Sequence, residues 1–215
     1  MRVVNVETRT HGRVLIQEAA DSGSGRLLVA FHGYGQSAED VLADVVSIPG
    51  ASVWRIAAVQ ALHRFYTRGD EKVIASWMTR QDRELAIADN VAYVDRTLDA
   101  IAPPRTSPVG IVFAGFSQGA AMAYRAALGG RHRATGILAL GGDLPPDVKT
   151  IGAERWPAVL IGAGDSDPWY TPVKVDADAA LLAALGVSHD VVRFHGGHEW
   201  TPEFRTRAGQ WLAAR

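Results

Sequence analysis

Apolar residues along the chain fall into short continuous runs separated by longer amphipathic stretches, and the two kinds alternate. Arg26 to Phe31, Val53 to Val59, Val109 to Ala114, Thr135 to Leu140, Ala158 to Ala163 and His189 to Phe194 read as strands of six or seven residues. Most are too uniformly apolar to have a wet face, as expected of strands covered on both sides. Between them the apolar period lengthens. A helix capped by Ser37 runs to about Ser47. A long one begins at Thr79 or Gln81 and runs to Ala102, its apolar positions Leu85, Ala88, Val91, Ala92, Val94, Leu98 and Ile101 at helical spacing and Pro103-Pro104 at its end. Further helices are expected at 120–128, at 173–185 with Pro172 in the first turn, and at 202–214. Two stretches break the pattern. Val3, Val4 and Val6 followed by Val14, Leu15 and Ile16 suggest an antiparallel pair turning at His11-Gly12, and Asp21 to Gly25 reads as a turn. Residues 60–76 carry no period and read as an irregular loop.

Strand and helix in alternation predict an α/β fold: a mostly parallel central sheet with helices on both faces, in one domain spanning residues 1–215. In such sheets ligands bind beyond the carboxyl ends of the strands, and that is where the chemically interesting residues fall. Gly115-Phe116-Ser117-Gln118-Gly119 is a Gly-x-Ser-x-Gly motif between a strand and a helix, the context in which a serine is held on a tight turn as a nucleophile. A serine hydroxyl is weak without a base, and the base needs a carboxylate to orient it. After Ser117, a strand runs into Gly164-Asp165-Ser166-Asp167-Pro168. Asp167, deeper in the loop and stiffened by Pro168, is the preferred acid, with Asp165 a turn or capping residue. The strand ending at Phe194 leads into His195-Gly196-Gly197-His198. His198, beyond two glycines, is the preferred base, and His195 a residue of the surface or of the base's surroundings. An oxyanion would be met by the backbone N–H groups of Gln118 and of Tyr34 in His32-Gly33-Tyr34-Gly35, with His32 structural.

Composition removes competing classes. Apolar residues make up 47% of the 215, charged residues 21%, and the net charge is -1, so no field draws a polyanion and nucleic acid is not an expected partner. Cysteine is absent, which excludes thiol catalysis, disulfides and thiolate-bound metal. No run of about 18 apolar residues occurs and the first ten residues lack the apolar core of a signal peptide, so a cytoplasmic location without membrane insertion is expected.

On Phe31 to Gly35, Gly115 to Ala120, Gly164 to Pro168, His198 before the final helix and Ser76-Trp77, the chain resembles the carboxylesterase/phospholipase family of α/β-hydrolases, which includes the acyl-protein thioesterases. The resemblance implies an open site without a large lid domain, no cofactor and no metal, and hydrolysis of short- to medium-chain carboxylic esters through an acyl-serine. The same triad acting as a thioesterase or lysophospholipase is the alternative, and a non-catalytic binding protein on the fold a third reading. Partners narrow to a small-molecule ester and, as an open option, a second copy of the chain in a homodimer. Two departures bear on the pocket. Ala58 to Leu62 stands where the family often has a Pro-x-Ala-Pro stretch, and Trp169-Tyr170 replaces small aliphatics after the acid, which would narrow the acyl site. With these, His63, Arg64, Phe65, Tyr66, Trp77 and Met78 are the candidate substrate-binding residues, their loop equally readable as a cover for the core. Arg64 is a candidate for a substrate carboxylate or phosphate, or a solvated side chain.

Overall fold

A computed structural model of the chain describes residues 1–21, 25–69, 71–101 and 110–215. A seven-stranded sheet runs through its centre, and its members are the apolar runs of the sequence. In chain order these are β1 (Arg13–Gln17), β2 (Arg26–Phe31), β3 (Arg55–Gln60), β6 (Gly110–Phe116), β7 (Gly136–Leu140), β8 (Ala158–Gly164) and β9 (His189–Phe194), while β4 (His63–Tyr66) and β5 (Val73–Ser76) form a separate hairpin. Across the sheet the order is β1-β3-β2-β6-β7-β8-β9, all parallel except β1, which pairs antiparallel with β3. The chain adopts the α/β-hydrolase fold, with no large extra domain among the described residues.

Helices close both faces. Alternate residues of each strand go to opposite sides, so Leu27, Val29 and Phe31 of β2 enter one core and Leu28 and Ala30 the other. Against the first pack α2 (Arg83–Ile101), α3 (Gln118–Gly129) and α4 (Pro172–Ala184), and against the second α1 (Ala38–Val46) and α5 (Pro202–Ala213). The expected cap of α1 is present as a reciprocal box: the Ser37 hydroxyl accepts from the Asp40 N–H and the Asp40 carboxylate accepts from the Ser37 N–H.

Two expectations are corrected. Val3, Val4 and Val6 form no strand and lie 64 to 79% exposed, and the antiparallel partner of β1 is β3, more than forty residues on. Alternation was the signal, but alternation orders a strand only when one face is buried, and Val3, Val4 and Val6 join neither core although β1 ends the sheet. Residues 60–76 contain the β4–β5 hairpin, with His63 opposite Ser76 and Tyr66 opposite Val73. Its first strand is exposed at all four positions, so no apolar alternation marks it. The turn expected at 21–25, the Pro103-Pro104 stop and Val109 fall wholly or partly outside the described residues.

Candidate active site

Because β2, β6, β7, β8 and β9 are parallel and in register, the loops that follow them open along one edge of the sheet. Phe31 stands beside Gly115, Phe116 beside Leu140, and Gly164 beside Phe194. Ser117 sits between β6 and α3 with φ 56° and ψ -118°, a conformation that costs a non-glycine residue about 1–3 kcal/mol. The surroundings force it. A Cβ on Gly115 would lie 2.1 Å from the carbonyl oxygen of Gly119, and one on Gly119 would lie 2.1 Å from that of Phe31. Only with both side chains absent can α3 begin this close above the sheet and lift Ser117 out of it.

Asp167 and His198 meet beyond the ends of β8 and β9. The Asp167 Oδ2 lies 2.7 Å from the imidazole Nδ1, with 1% of the Asp167 side chain and 14% of the His198 side chain exposed. The other carboxylate oxygen, Oδ1, accepts the N–H groups of Trp169 at 2.8 Å and Tyr170 at 3.0 Å. Burial alone would raise this carboxyl, but those two N–H groups and the imidazole outweigh it and hold it below the usual carboxylate range. It is therefore an anion that fixes Nδ1 as the protonated nitrogen and leaves Nε2 as the basic one. The ring is held by Phe116, whose centroid is 4.8 Å away, and by Trp169 edge-on at 4.9 Å. Phe116 immediately precedes Ser117 in the chain, so the residue that packs on the imidazole is the neighbour of the serine.

The other pair at this edge is different in kind. Asp165 and His195 are joined at 2.5 Å, but the His195 side chain is 98% exposed. Asp165 also accepts from Ser166 and from the Gly196 N–H, as a turn residue does.

Two backbone donors at this edge have no hydrogen-bond partner among the described residues. In the loop after β2, the Gly33 N–H donates to the Gln36 side chain at 2.7 Å, that of Gly35 to Ala75 and that of Gln36 to Gly33, whereas no hydrogen bond among the described residues takes the N–H of Tyr34. Gln118, at the first position of α3, likewise has an N–H with no helical partner, and the positive end of the helix dipole lies there. His32 is fully buried, accepts the Ala61 N–H on Nε2 and donates from Nδ1 to the Gly33 carbonyl at 2.7 Å. Burial lowers its pKa, so it is a neutral strut of the loop.

The candidate substrate residues divide by exposure. Trp169 is 65% exposed beside His198, and Phe65 packs 6.0 Å from the Tyr34 ring, which is itself 64% exposed. Tyr66 and His63 are exposed on the same hairpin, which is pinned to the loop after β2 by the Gly35–Ala75 and Ala75–Gln36 hydrogen bonds. Arg64 donates to the backbone carbonyl of His11 at 3.1 Å, tying down the N-terminal segment. Trp77 and Tyr170 are fully or almost fully buried, so their side chains do not line a surface. Trp77 packs edge-on against Phe31 and donates from its indole to the His32 carbonyl at 2.8 Å. Met78, half-buried, presents its carbonyl to the Gln118 amide and its sulfur to Arg125.

The sequence of the phospholipase/carboxylesterase family matches residues 71–213, more than half of the chain. The protein is a member of that family. Structural neighbours agree in fold. An esterase named PE8 superposes with a TM-score of 0.73 at 22% identity, over 95% of this chain and 99% of that one. A carboxylesterase of Bacillus cereus gives 0.73 at 19% identity over 94% of each chain, and acyl-protein thioesterase 2 of Zea mays 0.74 at 19% over 95% and 99%. No curated protein matches the chain significantly in sequence. The phospholipase/carboxylesterase assignment makes the chain a hydrolase-family protein whose relatives act on small esters, and no helix among its described residues is long and apolar enough to cross a membrane.

From sequence, Gly141-Gly142-Asp143 reads as a turn near the rim of the site without a chemical role, and the part played by the Gln118 side chain is missed. Gly141 lies against the His198 ring and Gly142 against the Ser117 carbonyl. The Gln118 side chain accepts from the Trp77 N–H at 2.9 Å and donates to Met78, stitching the hairpin to the serine turn. The paired glycines after a buried strand were the available signal for the first. Nothing in the sequence marks the second.

Proposed function

We propose that the protein is a serine carboxylesterase in which Ser117, His198 and Asp167 form the triad. The reading rests most on one observation: a serine held at positive φ between strand and helix, at the sheet edge where a buried carboxylate grips the imidazole through Nδ1. His198 Nε2 takes the hydroxyl proton as Ser117 attacks the ester carbonyl, and the Asp167 anion stabilises the imidazolium. The N–H groups of Tyr34 and Gln118 meet the oxyanion, a contribution of about 10²–10³ in rate per donor in comparable enzymes. The imidazolium then protonates the leaving alcohol, and an acyl-serine remains. Water, deprotonated by His198, hydrolyses it and restores the enzyme.

The partly exposed aromatics Tyr34, Phe65 and Trp169 favour substrates that present an apolar group beside the carbonyl, consistent with short- to medium-chain esters. Turnover of p-nitrophenyl butyrate by the wild type and by Ser117→Ala, both checked for folding, tests this. The wild type is expected to turn over and the variant to fall to background. Equal turnover by a folded S117A refutes the assignment. The ratio of kcat/KM on matched oxygen and sulfur esters separates esterase from thioesterase.

A further inference from the structure

Asp178 is an acidic residue 2% exposed, on the inner face of α4 between Val175 and Leu182, both completely buried. A carboxylate in such a place is costly unless its oxygens are fully engaged. They are. Oδ2 accepts the Leu144 N–H at 2.8 Å and the Tyr170 hydroxyl at 3.2 Å, and Oδ1 lies 3.3 Å from the Lys149 ammonium. Burial, together with the nearby Tyr124 and Asp178, raises the Tyr170 phenol far above its ordinary range, so it stays protonated and donates.

The two segments held by Oδ2 are the two that grip the base. Leu144 closes the loop that starts at Gly141, and a Cβ on Gly141 would lie 3.0 Å from His198 Cε1 and 3.1 Å from Nδ1. Tyr170 belongs to the turn whose N–H groups hold Asp167 Oδ1, the carboxylate whose other oxygen holds Nδ1. Both chains of contact run from the imidazole back to one oxygen on a helix packed into the core.

We infer that Asp178 is a positioning residue for catalysis, a buried anchor that sets the distance between the loop walling His198 and the turn holding Asp167. The inference rests on the triad reading above. Asp178 touches neither substrate nor reacting atoms, and acts through Leu144 and Tyr170. What the two links require is an acceptor oxygen, not a charge, because an N–H and a hydroxyl are the donors.

That requirement sets the test. Asp178→Asn can place its amide oxygen where Oδ2 lies and keep both links, whereas Asp178→Leu has the same heavy-atom branching, with bulkier methyl groups, and keeps neither. In the intact protein, D178L is expected to lower kcat on p-nitrophenyl butyrate, and the rate of Ser117 phosphonylation by a fluorophosphonate per folded molecule, by about 10- to 100-fold, the scale of a misplacement approaching 1 Å. KM should stay within roughly twofold, and D178N should keep kcat within about threefold, the scale of a sub-ångström adjustment. A purely structural role would lower the folded fraction without changing the rate per folded molecule. D178L that is folded and reacts at the wild-type rate overturns the inference, and so does D178N failing as badly as D178L. Should D178L not fold, Tyr170→Phe cuts one link only, and a several-fold slower phosphonylation is expected; unchanged rates in Y170F overturn the proposal. A wild type that takes no label at Ser117 sinks the triad reading and this inference together, while a labelled wild type with an equally fast D178L sinks the inference alone.

Discussion

Replacing Gly141 by alanine separates two effects that usually arrive together. Gly141 has φ 64°, and a Cβ there meets the His198 ring at 3.0 Å, about 0.4 Å inside the 3.4 Å of an ordinary contact. Gly186, just after α4, has φ 70° and nothing within 4 Å of the same position. Both substitutions place a side chain in left-handed backbone, at about 1–2 kcal/mol. For a chain of this size that is a fall in Tm of roughly 2–8 °C in either variant. Only Gly141→Ala also pushes the imidazole. If a 1 Å error costs about 100-fold, a 0.4 Å displacement costs roughly sixfold in kcat. Thermal melts and kcat on p-nitrophenyl butyrate give both quantities. The expected result is a similar loss of stability in G141A and G186A, with kcat reduced in G141A alone. Equal kcat in the two variants would refute the claim that this loop sets the position of the base.

Two other predictions follow from buried groups. The Tyr124 hydroxyl is completely buried with no hydrogen-bond partner among the described residues, so Tyr124→Phe removes an unsatisfied group and should raise stability by about 1 kcal/mol, read as a rise in Tm of roughly 2–4 °C; a fall of that size would mean the hydroxyl is satisfied. Asp167 has its pKa depressed in the fold, so its contribution to stability is complete above the unfolded value of about 3.9 and is lost as pH falls through the folded value. Asp167→Asn should therefore flatten the slope of stability against pH below about pH 4, and lower kcat by about 10⁴ through loss of the correct imidazole tautomer; an unchanged slope and rate would contradict the Asp167–His198 pairing.

How much of this was legible beforehand depended on what each segment packs against. β2, β3 and β6 to β8 are buried on both faces, and a strand in that position must be apolar throughout, so its run is visible in the sequence. The serine turn, the aspartate loop and the histidine loop were legible because glycine is the residue that lets backbones approach there. The β4–β5 hairpin was not, since its order comes from backbone pairing to Gln36 and Gly35 and its first strand faces solvent. Val3, Val4 and Val6 misled because alternation describes a strand's two faces and says nothing of whether a core lies against one of them, and none does here. Trp77 and Tyr170 look like pocket residues by type and position, yet Trp77 spends its indole N–H on the His32 carbonyl and Tyr170 its hydroxyl on Asp178. Asp178 itself reads in sequence as one more acidic residue on a helix. Only the packing of α4 against two loops distant in the chain distinguishes it.

The account stands on the reactivity of one hydroxyl. Treatment of the folded protein with a fluorophosphonate, followed by mass spectrometry of its peptides, measures that directly. A single adduct on Ser117, formed in the wild type and lost in His198→Ala, is the predicted result. An adduct on another residue, or labelling of Ser117 at the same rate without the imidazole, would contradict it.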